Sequence, residues 1–570
     1  MRLKLVFNLI LFSSLGLSQG FFEKDWQTII DTTWGHGLPT GEKLEIFDSV
    51  WTLIDQKYAC FQNLDIDWDE VRNRYRPEIE NGVSQGRFVA IINYMGLQLK
   101  ETHTSFINSE VNLTTPILPG TPLIRGGGWG GDATFSAGLS PLPDSSLLVY
   151  AAPPNHPLGL EPGDVILGYD GYPWKFLYKE LIRREFPVYY QSRCGSNDKS
   201  FIYIWLTGAG MNWHLFDTID IKKYAGDTIH LPTSLLINNH TFIKYSEQLP
   251  VPGVPMDTAH WQLSWGIVDG TNIGYIYEYR WIADDISTRF YNALDSLINI
   301  YKVDGLILDL RANSGGYFDR TNSGLNLLFK SNVPDLGLAI RNNPFDHYSM
   351  RAYSRFYFSP DSNTFFNKPI AVLSGPFCIS AGDFLIKRLK SHPKVKVFGT
   401  TSSTAFASSK SVLIGPFHLD YAYLNGFSED NPDQYLTHTE IDVDYEVSFT
   451  PDDVRNGDDT VVKTAIEWIK NNIDNVKETI PIATEFVLYQ NYPNPFNPTT
   501  KISWESPVNS QQVLKVYDIL GNKIATLVNE YKPAGDYQIE FDASFLPSGV
   551  YFYQLKVGSF ITTKKMILLR

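Results

Sequence analysis

The segment at residues 369–383 constrains the fold of this chain more than any other. Its apolar run at 370–373 breaks at a Ser-Gly-Pro turn, and a second short run ends at Ser380, after which a helix pattern starts near Asp383. A serine at a strand–turn–helix junction has an exposed hydroxyl and free backbone N–H groups beside it. An acyl-transfer nucleophile belongs in such a place, although a serine there is also a common helix N-cap.

A double-glycine turn lies upstream of this segment. Residues 305–310 have the pattern of a buried strand that runs into Asn-Ser-Gly-Gly, and glycines let backbone amides approach a ligand closely. The amides of Gly315, Gly316 and Ala381 are candidates to bind a developing oxyanion beside Ser380. The alternative is an ordinary strand exit whose charged residues form a structural ion pair.

The two segments together resemble a known family. Asp-Leu-Arg-Ala-Asn-Ser-Gly-Gly at 309–316, followed by Ser-Ala-Gly-Asp at 380–383, is similar to the motifs of the C-terminal-processing (tail-specific) and tricorn-like serine peptidases. The resemblance runs from about residue 23 to about residue 472. It implies a serine-type peptidase with a PDZ-like domain and a ClpP/crotonase-like core, and no cofactor or metal.

At 570 residues the chain is too long for one domain, and its patterns predict a multidomain α/β protein. The expected parts are a signal peptide at 1–20, an N-terminal helical bundle at 21–110, a PDZ-like β-rich domain at 111–235, an α/β layered peptidase domain at 236–475, a linker at 476–485 and a C-terminal β-sandwich at 486–570. The signal peptide is indicated by a positively charged start and an apolar run too short for a membrane anchor.

Two patterns carry the N-terminal half of this plan. Apolar residues recur at intervals of three and four over 44–54 and 88–99, which predicts helices. Gly-Leu-Glu-Pro-Gly-Asp-Val-Ile-Leu followed by Asp-Gly at 159–171 resembles a PDZ domain, a module that binds extended peptides by strand addition. A purely structural PDZ-like module is the alternative interpretation.

Ser380 needs a base, because a free hydroxyl is a poor nucleophile at neutral pH. One branch of the resembled family uses a downstream lysine, but here that position holds Ala405, and Lys410 is displaced by five residues. A Ser–Lys dyad is therefore disfavoured. The tricorn-like branch uses a histidine from the end of the helical domain, in an Asp-Gly/Ser-His-Thr motif.

The Glu-Thr-His-Thr stretch at 101–104 matches that motif. The resemblance makes His103 the general base that takes the Ser380 proton and later returns it to the leaving amine. Thr102 stands where the branch has glycine or serine, and its hydroxyl could still relay a hydrogen bond. Glu101 replaces the usual aspartate of the motif.

The fourth group that the resemblance implies is a glutamate shortly before a Pro-Asp-x-x-Val segment. The corresponding region is 435–447, where Asp444 aligns with the aspartate of that segment although its proline is replaced. The glutamate is then Glu440 or falls at Thr437, depending on a small gap. We take Glu440 as the group that orients His103, whereas Thr437 would weaken the relay.

Residues 486–570 have the strand and turn patterns of a β-sandwich of about seven strands. The stretch Asn-Tyr-Pro-Asn-Pro-Phe-Asn-Pro-Thr-Thr at 491–500 and the Lys-Lys-Met ending closely resemble the C-terminal sorting domain of the type IX secretion system. The resemblance implies a Gram-negative bacterium of the Bacteroidota–Chlorobi type and the type IX secretion machinery as a partner. It also implies export through the periplasm and across the outer membrane, to the medium or the cell surface.

Composition narrows the partners. A net charge of −14 with no basic stripe argues against nucleic acid, and no later apolar run is long enough to cross a bilayer. Cys60, Cys194 and Cys378 allow one disulfide without selecting the pair, and no Cys/His spacing resembles a zinc site. The expected partner is a peptide or protein substrate.

The expected function is that of an exported serine endopeptidase acting through an acyl-enzyme on Ser380. The alternative is a catalytically inactive peptide- or lipophile-binding protein on the same fold.

Overall fold

The computed structural model describes residues 20–112, 121–126, 135–190, 194–239, 249–255, 262–330, 333, 336–360, 365–429, 431–473, 486–508, 510–532, 535–558 and 560–569. The chain divides into two compact units, Met1–Ile473 and Asp474–Arg570. The expected linker, and all of the expected signal peptide except Gly20, lie outside the described residues. Within those residues, no helix has the length and apolar character needed to cross a membrane.

Among the described residues, the α-helices all belong to the first unit. In chain order they are α1 (Trp26–Thr33), α2 (Thr40–Lys57), α3 (Trp68–Glu80), α4 (Gln85–Gln98), α5 (Ser109–Asn112), α6 (Trp174–Arg183), α7 (Asp198–Thr207), α8 (Ile286–Asp295), α9 (Asn322–Leu325), α10 (Ala381–Leu389), α11 (Pro451–Asn456) and α12 (Thr460–Ile473). The helices predicted over 44–54 and 88–99 are confirmed as parts of α2 and α4.

The strands occur in both units. Those of the first unit are β1 (Ser105–Asn108), β2 (Ile124–Gly126), β3 (Gly138–Pro141), β4 (Leu147–Ala151), β5 (Val165–Tyr169), β6 (Tyr172–Pro173), β7 (Val188–Tyr190), β8 (Thr218–Lys222), β9 (Thr228–Pro232), β10 (Leu263–Ile267), β11 (Ile273–Glu278), β12 (Gly305–Asp309), β13 (Leu336–Arg341), β14 (Met350–Phe356), β15 (Ile370–Ser374), β16 (Val395–Gly399), β17 (Ala407–Ile414), β18 (Phe417–Ser428), β19 (Asn431–Tyr435) and β20 (Tyr445–Glu446). Those of the second unit are β21 (Val487–Leu488), β22 (Thr499–Ser506), β23 (Ser510–Tyr517), β24 (Lys523–Lys532), β25 (Gly535–Asp542), β26 (Gly549–Val557) and β27 (Phe560–Leu568).

The N-terminal helices share an apolar core with the hairpin of β17 and β18. Phe47 of α2 and Ile91 of α4 belong to the same buried cluster as Phe417 of β18. Strand β1 comes shortly after α4 and pairs antiparallel with β18. The turn at 100–104 is therefore anchored directly to a strand of the peptidase part.

A six-stranded sheet in the order β10-β11-β12-β15-β16-β20 forms the centre of the peptidase part. Strands β11, β12, β15 and β16 run parallel and are buried on both faces, as parallel strands usually are. Alternate residues of β12 and β15 pack with α8 and α10 on one face and with α12 on the other. Because parallel strands place their carboxyl ends at one edge, the double-glycine turn after β12 and the segment after β15 meet there.

The β-rich part of the first unit contains a sheet in the order β3-β4-β5-β8-β9, with β6 beside β5. Helix α6 buries Trp174, Leu177 and Leu181 in the core associated with this sheet, which also includes Phe21 and Trp26. The domain boundaries expected inside the first unit stay predictions, because its parts form one compact unit.

The second unit contains two antiparallel sheets, β21-β22-β25 and β24-β23-β26-β27. Trp504 of β22, Leu514 of β23 and Tyr553 of β26 belong to one buried cluster, and Trp504 Nε1 donates to Gln512 Oε1 at 2.7 Å. Residues that alternate along these strands thus bury a common apolar core between the sheets.

Candidate active site

Ser380 precedes the first residue of α10 and has a strained backbone. Its φ and ψ are 57° and −118°, and its side chain makes no capping hydrogen bond to the helix. The helix-cap interpretation therefore does not describe this serine. Left-handed backbone at a non-glycine residue costs about 1–3 kcal/mol and persists where the surrounding structure holds it, often at functional sites.

Gly315 is the neighbour that makes this conformation possible. A Cβ atom at Gly315 would lie 2.7 Å from Ser380 Cβ and 3.2 Å from Ser380 Oγ, and the φ of Gly315 is 79°. Only glycine tolerates both the close approach and the positive φ. The double-glycine turn is thus in direct contact with the candidate nucleophile.

The three candidate oxyanion donors are in different states. The Gly315 N–H donates to Asn313 Oδ1 at 3.0 Å. Among the described residues, the N–H groups of Gly316 and Ala381 have no acceptor. Ala381 is the first residue of α10, where backbone N–H groups are free and the helix dipole favours negative charge. Two of the three predicted amides therefore remain available to a ligand.

His103, whose side chain is 16% exposed, pairs with the buried Glu101 in the turn between α4 and β1. His103 Nδ1 lies 2.9 Å from Glu101 Oε1, and Glu101 Oε2 accepts the His103 backbone N–H at 2.8 Å and the Thr104 hydroxyl at 2.9 Å. The Glu101 side chain is wholly buried. Because a carboxylate accepts, Nδ1 carries the proton and Nε2 is left as the basic nitrogen.

The charges of this pair are mutually dependent. Burial alone would lower the pKa of His103, but the charge of Glu101 and its hydrogen bond outweigh burial and raise that pKa. Burial alone would raise the pKa of Glu101, but the charge and hydrogen bonds of His103 outweigh it and lower that pKa. The pair is thus suited to stabilise an imidazolium that forms when His103 accepts a proton.

Glu440 pairs with a different residue and not with His103 in the part of the chain that the structure describes. Its carboxylate pairs with Lys199 Nζ at 2.8 Å, and the Glu440 and Lys199 side chains are 43% and 64% exposed. Thr437 is buried, and its backbone N–H donates weakly to Asn425 Oδ1 at 3.4 Å. The acid that contacts the His103 ring is Glu101. The motif alignment favours Glu440 for the orienting role, whereas the structure pairs His103 with Glu101. The available sequence signal is the acid two residues before the histidine.

Thr102 links the His103 turn to the nucleophile segment. Its Oγ1 lies 2.7 Å from Ser403 Oγ, and the Ser403 N–H donates to the carbonyl of Cys378 at 2.9 Å. Cys378 is two residues before Ser380. The Thr102 hydroxyl thus contacts the loop between β16 and β17, which contains Ser403 and is hydrogen-bonded to the segment before Ser380.

Asp383 also binds the loop between β16 and β17, which contains Ser403. Its carboxylate accepts the N–H groups of Thr404 and Ala405, each at 2.9 Å. Burial raises the pKa of Asp383 to about 7, against these hydrogen bonds, and its charge contributes to raising the pKa of His103.

Within the described residues, Ser380 Oγ and the His103 ring form no hydrogen bond with each other. Such hydrogen bonds in enzymes are often long without substrate and tighten in the reacting complex. Ala405, at the lysine position of the other branch, has no ionisable group. Lys410 lies on the largely exposed strand β17, and its Nζ is 4.3 Å from the ring centroid of Tyr423.

The remaining sulfur and acid groups do not form a second centre. All three cysteines are buried free thiols, so the disulfide that the composition allows is not formed in this structure. In the part of the chain that the structure describes, no group of three or more His, Cys, Asp or Glu side chains could hold a metal ion.

Sequence models of three families match the chain. Peptidase family S41 matches residues 272–423, the tricorn protease C1 domain matches residues 39–96, and the secretion system C-terminal sorting domain matches residues 490–569. No curated protein matches it. The predicted resemblance to tail-specific and tricorn-like peptidases, with a sorting domain at the end, is confirmed.

Solved structures agree at the level of the fold. Mature CPAF matches with a TM-score of 0.55 and 13% identity, covering 77% of this chain and 99% of that chain. CPAF complexed with lactacystin gives 0.55 and 13%, covering 76% and 99%. The photosystem II D1 C-terminal processing protease has 15% identity over 75% of this chain and 97% of its own, with a TM-score of 0.37.

Proposed function

We propose that this chain, a serine-type peptidase with a peptidase family S41 domain, is an exported endopeptidase that hydrolyses peptide bonds through an acyl-enzyme on Ser380. The observation that carries the proposal is the buried Glu101–His103 pair, joined through Thr102 and Ser403 to the segment of a strained, uncapped serine. A serine that only capped the helix would make the capping hydrogen bond and would not need this strain.

The proposed chemistry assigns one role to each group. Ser380 Oγ attacks the peptide carbonyl while His103 Nε2 takes its proton, and the protonated ring then delivers that proton to the leaving amine. Glu101 holds the Nδ1 proton and stabilises the imidazolium, so it takes the role first assigned to Glu440. Water, activated by His103, then hydrolyses the ester on Ser380.

The developing negative charge of each tetrahedral intermediate needs its own donors. We assign the N–H groups of Gly316 and Ala381, because no described residue accepts from them. Gly315 contributes by its shape and not by its amide, which Asn313 occupies. Removing one donor of this kind typically costs about 10²–10³ in rate.

The finer layout belongs to the same proposal. The sheet of β3, β4, β5, β8 and β9, with its glycine-rich motif at 159–171, is assigned as a PDZ-like module that presents an extended peptide. The parallel sheet is assigned to a ClpP/crotonase-like core, and the two sheets of the second unit to a β-sandwich. The chemical step itself does not depend on the residues of this module that would bind the peptide.

The destination of the protein follows from its last domain. The C-terminal sorting domain indicates export across the outer membrane, to the cell surface or the medium. We propose the type IX secretion machinery as the partner that recognises this domain, and a signal peptide at 1–20 as the address for the first membrane.

Labelling with a fluorophosphonate probe tests the proposal, because such probes phosphonylate activated serines. The full chain is expected to label at one site. Ser380→Ala should abolish labelling, and His103→Ala should slow it by about 10²–10⁴. His418→Ala is the matched control, since His418 lies on β18 with 52% of its side chain exposed and should label at the wild-type rate.

Absence of labelling and of peptide cleavage in a folded wild-type chain would contradict the proposal. It would favour instead a catalytically inactive protein that binds peptides or lipophiles on the same fold.

A further inference from the structure

Asn197 stands at the N-cap of α7, outside every matched family segment. Its Oδ1 accepts the Ser200 N–H at 2.9 Å, and Ser200 Oγ accepts the Asn197 N–H at 3.3 Å, which completes a capping box. The cap uses only the oxygen of the side-chain amide. The Nδ2 group is left for a second partner.

That second partner is the loop beside the nucleophile. Asn197 Nδ2 donates to Ser402 O and to Thr404 Oγ1, each at 2.9 Å, and lies 3.4 Å from Ser403 O. The two short contacts match the two protons of the amide, and Asn197 is only 4% exposed. Thr404 has a φ of 53°, so the amide grips the loop at a strained residue.

Ser196 holds the same loop and the base-bearing turn together. Its N–H donates to Ser403 O at 2.9 Å, and its Oγ accepts the Thr102 N–H at 3.0 Å while lying 3.2 Å from Thr102 Oγ1. Its carbonyl accepts from His438 Nδ1 at 2.8 Å. Ser196 is thus bonded to the residue next to His103 and to the loop that contacts Cys378.

We propose that these two residues, the Ser196–Asn197 bracket, are positioning residues that set the separation of Ser380 from His103. The inference rests on the proposed function, since it assigns the geometry of that catalytic pair. The base and the nucleophile come from segments far apart in the chain, and no hydrogen bond joins them directly in the described residues. Their distance therefore depends on what grips both segments, and a displacement of about 1 Å can cost about 10² in rate.

The bracket can be broken without removing the helix cap. Asn197→Asp keeps the shape of the side chain and an oxygen for the Ser200 N–H, but replaces both donors with a carboxylate that faces acceptors. Asn197→Ser is the uncharged second variant, and serine is also a good N-cap. Ser200→Ala is the matched control, because it weakens the cap of the same helix and leaves the grip of Asn197 on the loop intact.

The experiment measures saturable fluorophosphonate labelling of the full chain, which separates kinact from KI, together with the Tm of each variant. Asn197→Asp is expected to lower kinact by about 10² with little change in KI, and Asn197→Ser by about tenfold. Ser200→Ala is expected to lower Tm while kinact stays within about twofold of wild type.

The outcomes are distinguishable. Wild-type labelling with unchanged kinact in both Asn197 variants would overturn this inference alone. An equal loss of kinact in Ser200→Ala would also overturn it, because helix stability would then explain the effect. A folded wild-type chain that does not label would instead defeat the proposed function, and this inference with it.

Discussion

Two regions of the molecule carry a glutamate that sequence motifs connect to His103, and they differ in nearly every physical respect. Glu101 is wholly buried and accepts three hydrogen bonds within its own turn. Glu440 is 43% exposed and forms one ion pair, with a lysine. Exposed ion pairs are typically weak, while a carboxylate held out of water keeps its full influence on a neighbouring ring. Burial and the direct hydrogen bond to the ring are our reasons for proposing Glu101, and not Glu440, as the orienting acid.

Glu101→Gln has the largest expected effect and tests whether Glu101 orients His103. The amide cannot hold the Nδ1 proton in the same way and cannot stabilise the imidazolium. In serine peptidases with a catalytic triad, the corresponding acid-to-amide change lowers kcat by about 10⁴. We expect a loss of the same order in the fluorophosphonate labelling rate, with a folded protein by circular dichroism. A loss below tenfold would mean that another group orients His103.

Gly315→Ala asks whether close packing matters as much as buried charge. The new Cβ would lie 2.7 Å from Ser380 Cβ, at a position with φ of 79°, so either the turn or Ser380 must move. We expect labelling to fall by about 10² and Tm to drop as well. Gly82→Ala is the control, since Gly82 also has a positive φ, of 90°, but open space around it. Equal losses of labelling in both variants would remove the special role of Gly315.

The pH profile sharpens the comparison further. Only the neutral ring of His103 can act as base, so the labelling rate should fall as the pH drops through the raised pKa of His103. Glu101→Gln removes the charge that raises this pKa and leaves burial, which lowers it. The midpoint of the acid limb should therefore move to lower pH. Both proteins keep Asp383, whose pKa burial raises to about 7, so we compare the two profiles for the shift that follows the loss of the Glu101 charge.

The smallest expected effect is that of Glu440→Gln. The change removes one exposed ion pair with Lys199, and such pairs contribute little. The labelling rate should stay within about twofold of the wild-type rate. The midpoint of the pH profile should stay close to that of the wild type. A large loss would restore Glu440 as the orienting acid and reverse the comparison.

Much of the framework could be predicted from sequence because it depends on local patterns. The apolar periodicity of α2 and α4 and the buried strands β12 and β15 follow from side-chain spacing. Parallel strands end at one edge, which explains why the double-glycine turn reaches Ser380. The roles of Ser380 and His103 stay predictions for the labelling experiments to test.

The remaining details depend on tertiary contacts, which residue types alone do not predict. Lys100, directly before Glu101, has a left-handed backbone with φ of 43°, and lysine is not a usual residue in that conformation. Gly315, in a turn far upstream, leaves space for Ser380 where a Cβ atom would lie only 2.7 Å from the Ser380 Cβ. Asn197 was not predicted because its capping role hides the second use of its side chain.

A crystal structure of the full chain after reaction with a fluorophosphonate tests whether Ser380 and His103 work as a catalytic pair. We expect phosphorus bonded to Ser380 Oγ, a phosphonyl oxygen within hydrogen-bond distance of the Gly316 and Ala381 N–H groups, and His103 Nε2 within reach of the adduct while Nδ1 stays on Glu101. An adduct on another residue, or a His103 ring that contacts neither the adduct nor Glu101, would contradict it.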